Sequence, residues 1–156
     1  MKIQKDTIIL PIPSRELIAE RECDWELTLP EDYKEFIVNC NGGIPNENSF
    51  ECNQRGYAIT RFLCILENFS DSQKGWYDIS VVESQIGERL TDNEDLIGVE
   101  VLPIAELFAG DYVCLDFREN KDKPCVCVWS HEESGDFDPV TYRIADSFSE
   151  FISILA

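Results

Sequence analysis

The sequence predicts an α+β domain with a mostly antiparallel sheet, and three observations carry that reading. Two short apolar runs, residues 111–117 and 125–131, are split by a polar loop from Arg118 to Pro124 and read as an antiparallel hairpin. Each run is apolar on both of its alternating faces. Val113, Leu115 and Phe117 oppose Tyr112 and Cys114, while Cys125, Cys127 and Trp129 oppose Val126 and Val128. A hairpin covered on both sides belongs in the middle of a sheet rather than at its edge. The remaining chain reads in the order helix, helix, strands, helix, strands, helix, which completes the class.

Residues 1–13 form a partly extended lead-in, because Pro11 and Pro13 forbid a helix, and residues 8–10 are apolar enough to dock. Ser14 caps a short helix to about Cys23, with Glu16 in its positive first turn. Pro30 then opens a clearer helix in which Tyr33, Phe36, Ile37 and Cys40 share one face. Asn41, Gly42 and Gly43 end it, and Pro45 prevents its resumption. Residues 50–52 and 57–66 read as strands. Trp76, Ile79, Val82, Ile86 and Leu90 recur three or four apart and predict a helix over about 76–90, with Trp76 in the core. Strands follow at 99–105 and 140–144, around the hairpin. Ser147 and Glu150 form a capping box for a closing helix that turns Phe148, Phe151, Ile152 and Leu155 to one side. The 156 residues show no repeat, linker or low-complexity tract, so one domain spanning 1–156 is expected.

Charge is the outlier. The chain has 31 acidic and 13 basic residues, a formal net charge of -18. Phosphate contacts need clustered Lys and Arg, so direct binding to nucleic acid or to an anionic membrane is disfavoured and a cationic partner is favoured. The excess is uneven: residues 1–75 hold 13 acidic and 8 basic groups, residues 76–156 hold 18 and 5. Glu88, Asp92, Glu94, Asp95 and Glu100 make one cluster; Glu132, Glu133, Asp136 and Asp138 make another around Phe137. Uneven charge suits a binding surface better than a uniform solubility coat. The N-terminus reads as lacking a signal peptide, no run approaches transmembrane length, and seven cysteines without a C-x-x-C read as free thiols of a reducing cytoplasm.

Catalytic signatures are sparse. Beside the lone His131 there is no nucleophile elbow, no Gly-rich phosphate loop and no H-E-x-x-H. Cys125, Cys127 and His131 share a strand face and offer three metal-ligand types, but no fourth ligand is indicated and Trp129 sits between them. Core packing explains the cysteines better, and no cofactor or metal is expected. The loop at 131–138 lacks calcium-loop spacing, which leaves Phe137 as an exposed contact residue among carboxylates.

Five segments in order carry a resemblance: Leu29, Pro30, Tyr33 and Phe36 followed by Asn41, Gly42, Gly43 and Pro45; Leu102 to Ala105; Gly110, Asp111, Tyr112, Cys114, Leu115 and Asp116; Trp129, His131 and Glu132; and Ala145, Phe148 and Phe151. Together they resemble the SUKH superfamily, which takes in yeast cell-wall-assembly and killer-toxin-resistance regulators and many bacterial immunity proteins. The resemblance implies a bent, mostly antiparallel sheet with helices packed on it. It also implies a non-catalytic bacterial antidote that binds a cognate toxin, frequently a nuclease. Ala109 and Ser130 depart from the pattern, where glycine and aspartate are common. Leu29, Tyr33, Phe36, Gly42, Leu115 and Trp129 are what a core and its turns require. The two acidic clusters are therefore the expected partner surface, with Trp76, Tyr77 or Phe137 as apolar anchors. A regulatory adaptor, or a metal-binding enzyme using His131, are the alternatives.

Overall fold

Lead-in and sheet are joined at the start of the chain. In the computed structural model, which describes residues 1–95 and 98–156, strand β1 (Ile3–Gln4) pairs with β2 (Ile44–Pro45) as a small ribbon. The main sheet has six strands in chain order, each antiparallel to its neighbour. They are β3 (Ser49–Cys52), β4 (Arg55–Phe62), β5 (Val101–Leu107), β6 (Tyr112–Asp116), β7 (Cys125–Trp129) and β8 (Thr141–Ala145). The expected hairpin is β6–β7, with Cys114 opposite Cys127 and Leu115 opposite Val126, and it lies inside the sheet between β5 and β8. The sheet is bent enough that its outer strands approach each other. The Cys52 thiol on β3 donates to the carbonyls of Tyr142 and Arg143 on β8, at 3.8 and 3.6 Å.

Both faces of the hairpin are buried, as its double apolar alternation requires. Val113, Leu115, Phe117, Val126 and Val128 join the larger core with Tyr33, Ile37, Phe148 and Phe151. On the other face Cys114, Cys127 and Trp129 pack with Leu90 and Val101. Burying each such large side chain stabilises the fold by about 1.5–3 kcal/mol. Helices α1 (Arg15–Trp25), α2 (Glu31–Cys40), α3 (Ile79–Ile86) and α4 (Phe148–Ile154) complete this α+β domain. Ser14 caps α1 by accepting from the Leu17 amide, and Ser147 caps α4 by accepting from the Glu150 amide. Glu150 in turn accepts from the Asp146 amide rather than from that of Ser147, so the box closes one residue earlier than its pattern implies.

Two buried polar side chains replace ladder bonds where β4 ends. Asn41, fully buried after α2, donates to the carbonyls of Ile9 and Ile65 and accepts from the Ile65 amide at 2.8 Å. Next to it Gly42 has φ +68, and a Cβ there would come within 2.5 Å of Ile9, so the Asn–Gly pair fits only this close crossing. Asp78 accepts from the amides of Leu66, Ser80 and Val81 and pairs with buried Arg21 at 3.3 Å. These anchors stop β4 at Phe62, although apolar sequence runs on to Leu66. They also divide the helix expected at 76–90. Asp78 caps α3, Gly75–Tyr77 forms a separate turn before it, and Gly87–Arg89 a tighter turn after it. Trp76 is consequently outside the helical stripe and 72% exposed, not core. The strand expected at 99–105 begins two residues later, at Val101.

Candidate functional site

At one end of the main sheet four segments meet: the β3–β4 hairpin tip, the turn Phe108–Gly110 between β5 and β6, the loop after β7, and Arg89. Arg89 organises this end. Its guanidinium donates to the carbonyls of His131 and of Ser134, the latter at 2.7 Å, and lies 3.1 Å from His131 Nδ1. It also stacks 5.3 Å from the Trp129 ring centroid, while the Trp129 indole N–H donates back to the Arg89 carbonyl at 2.8 Å. The Phe137 amide donates to the Glu88 carbonyl at 2.6 Å, and Asp111 Oδ1 accepts from the His131 amide at 2.8 Å. Through these bonds Glu88 is joined to the loop holding Glu132, Glu133, Asp136 and Asp138.

The other members of the first cluster are not in this patch. Asp92 lies within electrostatic reach of Arg118, beside the β6–β7 loop at the opposite end of the sheet. Glu94 and Asp95 are exposed on the turn between, and Glu100 is half-buried, its carbonyl accepting from the Phe117 amide. Leu90, between Glu88 and the later members, is buried on the second face of the sheet against Val101 and Trp129. Phe137 is half-buried rather than exposed. Its φ is +57 and its amide is bonded to Glu88, and the exposed large aromatics are Trp76 and Phe108.

Among the described residues, none of the nine carboxylates in the two clusters is within 4 Å of a cationic group. Arg89 clamps the loop by its carbonyls and leaves the carboxylates free. Glu133 accepts instead from the Tyr142 hydroxyl, which holds that phenol above its ordinary value. By contrast Asp116, from the same region of sequence, is paired with Arg118 through contacts of 2.9 and 2.8 Å.

At the buried thiols desolvation outweighs the nearby arginines. Burial pushes Cys64 up to about 12, with Asp78 adding to it, and raises Cys114 and Cys127 well above the ordinary thiol range. They stay protonated at neutral pH. Among the described residues no group of three or more His, Cys, Asp or Glu is arranged to hold a metal ion, so Cys125, Cys127 and His131 do not converge as ligands. No helix there is long and apolar enough to cross a membrane.

A feature with little sequence signal adjoins the acidic loop: a groove of about 880 Å³ lined by Phe50, Tyr57, Phe108 and Ile154, with Glu51 and Asp111 at its sides. Its residues come from four separate segments. The one local hint is Ala109, whose φ of +72 is a left-handed conformation that residues other than glycine rarely adopt.

The fold is an α+β domain with a bent antiparallel sheet, Asn41–Gly42–Gly43 at the end of α2 and Trp129 at the end of β7; a comparison of sequences assigns its family. Residues 15–152 match the family SUKH_6, described as SMI1-KNR4 cell-wall, and the chain belongs to that family. It is similar to the SPbeta prophage-derived uncharacterized protein YokK of Bacillus subtilis (strain 168). The two are 25% identical over 147 residues, which cover 90% of this chain and 73% of that protein.

Proposed function

We propose that this chain is a non-catalytic immunity protein, which binds and neutralises a cognate bacterial toxin in the cytoplasm through its acidic surface. The toxin domain is basic and of nuclease type. SUKH-family proteins are commonly immunity proteins of toxin systems, and the similarity to a Bacillus prophage protein suits a bacterial setting. The observation that carries the reading is the set of unpaired carboxylates. Glu88, Glu132, Asp136 and Asp138 are exposed and Glu133 is bound only by a tyrosine, in a chain of net charge -18. An intramolecular role would leave them partnered; a role in capture leaves them free. Such a field raises encounter rates with a cationic partner and repels anionic competitors. Asp92, Glu94, Asp95 and Glu100 extend the field over the adjoining face rather than forming the contact itself.

On this reading a large secreted protein with a basic C-terminal toxin domain is expected to be encoded beside this gene, and the test is a binding experiment with that domain, catalytically inactivated. A complex should form with an association rate above about 10⁷ M⁻¹s⁻¹ at low salt, falling steeply as salt is added. Absence of any complex at low salt, or an association rate indifferent to salt, would remove this reading.

A further inference from the structure

We propose that the groove lined by Phe50, Tyr57, Phe108 and Ile154 receives an extended segment of the partner, in which apolar side chains alternate with Lys or Arg. The inference rests on the reading that the partner is a cationic protein domain, and it names where that domain is gripped. Three features of the groove point to such an occupant.

The first is apolar surface held open to solvent. Phe108 is 78% exposed and Ile154 42% exposed. Phe108 is presented by two consecutive left-handed residues, Ala109 at φ +72 and Gly110 at φ +89. A non-glycine residue in that conformation carries strain, and here the strained turn directs an aromatic ring outward rather than into the core. The floor is firm: Phe50 stacks on Tyr57 at 5.4 Å and meets Phe151 edge-on at 5.4 Å. Rigid aromatic anchors of this kind lose little entropy on binding.

The second is a strand edge. The Ile59 amide donates to the Asn48 carbonyl, so by alternation Ser49 and Glu51 turn their backbone groups away from β4. Ser49 uses both of its groups on Ala156, each at 2.9 Å. Among the described residues the backbone N–H and C=O of Glu51 have no such partner, and Glu51 lines the groove. An extended segment would satisfy them by adding along β3.

The third is the sign of the charge. Glu51 and Asp111 flank the groove, and Asp111 and Glu133 both act on Tyr57; Arg55 is the one cation among the lining residues. A second copy of this chain, also at -18, would bring like charge to the same place. A basic segment would be attracted.

The experiment is a titration of the inactivated toxin domain named above with the whole chain and with Phe108→Ser/Ile154→Ser, alongside amide hydrogen exchange of the complex. Phe108 is largely and Ile154 partly in solvent, so the variant should stay folded; Phe108→Lys alone repeats the test should the pair unfold. The expected result is at least 100-fold weaker binding by either folded variant, with slowed exchange at residues 49–52 in the wild-type complex. Wild-type binding together with variants that bind within 3-fold of it, or unchanged exchange at 49–52, overturns the groove while leaving the immunity reading intact. A wild-type chain that does not bind at all overturns both.

Discussion

Arg21 and Arg89 are both arginines stacked beside an aromatic ring and bonded to backbone carbonyls of a distant segment, yet they meet different charges. Arg21 reaches the Leu66 carbonyl at 2.6 Å and the Ser80 hydroxyl at 2.7 Å, but it also faces the Asp78 carboxylate inside the core. Arg89 reaches the carbonyls of His131 and Ser134 and has no carboxylate within 4 Å among the described residues. The first charge is neutralised on the spot and belongs to the fold alone. The second holds a loop by its carbonyl dipoles, and the carboxylates of that loop remain directed at solvent. A structural ion pair and an open group of carboxylates are thus built from the same residue types, separated by which acceptor the arginine is given.

The largest expected effect tests the closed half of this contrast. Asp78→Ala would leave Arg21 buried without its counter-charge and the Leu66 and Ser80 amides without acceptors. Breaking a buried pair from one side costs about 3–5 kcal/mol, read from urea denaturation. A cost below about 1 kcal/mol would mean that Arg21 escapes to water and that the pair is not structural. Arg89→Ala should cost less, about 1–2 kcal/mol, since its bonds are at the margin of the fold and partly solvated. Its distinguishing mark is local: amide exchange should quicken at 131–138 and stay unchanged at 64–66. Uniform quickening across the chain would show that Arg89 supports the whole sheet instead of the loop.

The closed half was largely legible in the sequence and the open half was not, for a physical reason. Core and caps are set by spacing along one segment: Tyr33 and Ile37, the two faces of the hairpin, Ser14 and Ser147. Asn41–Gly42–Gly43 could be read as a helix end, although that Asn41 also replaces a strand partner for Ile65 depends on a contact 24 residues away. The register of Trp76 with Ile79 and Val82 predicts a core position for it. Asp78, acting as a cap, breaks that register, and an Asp two residues before Ser80 was the signal available. The groove gathers residues 50, 57, 108 and 154, and no local pattern links them. Charge clusters were visible as composition, but only the path of the chain past Leu90 decides that Glu88 joins the loop and Asp92 does not.

Replacing Glu132, Asp136 and Asp138 by Gln, Asn and Asn tests the open half. Exposed substitutions away from any packing feature change stability little, so the melting temperature should move by no more than about 2 °C. The association rate with the inactivated toxin domain should fall, and its salt dependence should flatten. A clear loss of stability would show that these carboxylates serve the fold, which the contrast with Asp78 denies.

Glu83 stands between the two halves and supplies the smallest effect. It is half-buried in a cleft with Glu88 and Glu100, and among the described residues no cation is within 4 Å of it. Burial raises its carboxyl above the ordinary 4.5. The folded state therefore holds the proton more tightly than the unfolded state. Charging Glu83 penalises the fold fully above the raised value, and the penalty fades as pH falls toward 4.5 and both states become protonated. Glu83→Gln should then melt higher than the wild type at pH 7, by less than about 3 °C given its partial exposure, and the gap should shrink on acidification. A gap that is constant with pH would indicate packing rather than charge as its cause. A variant that melts lower at pH 7 would show that Glu83 is held by an attraction, and would move it to the side of Asp78.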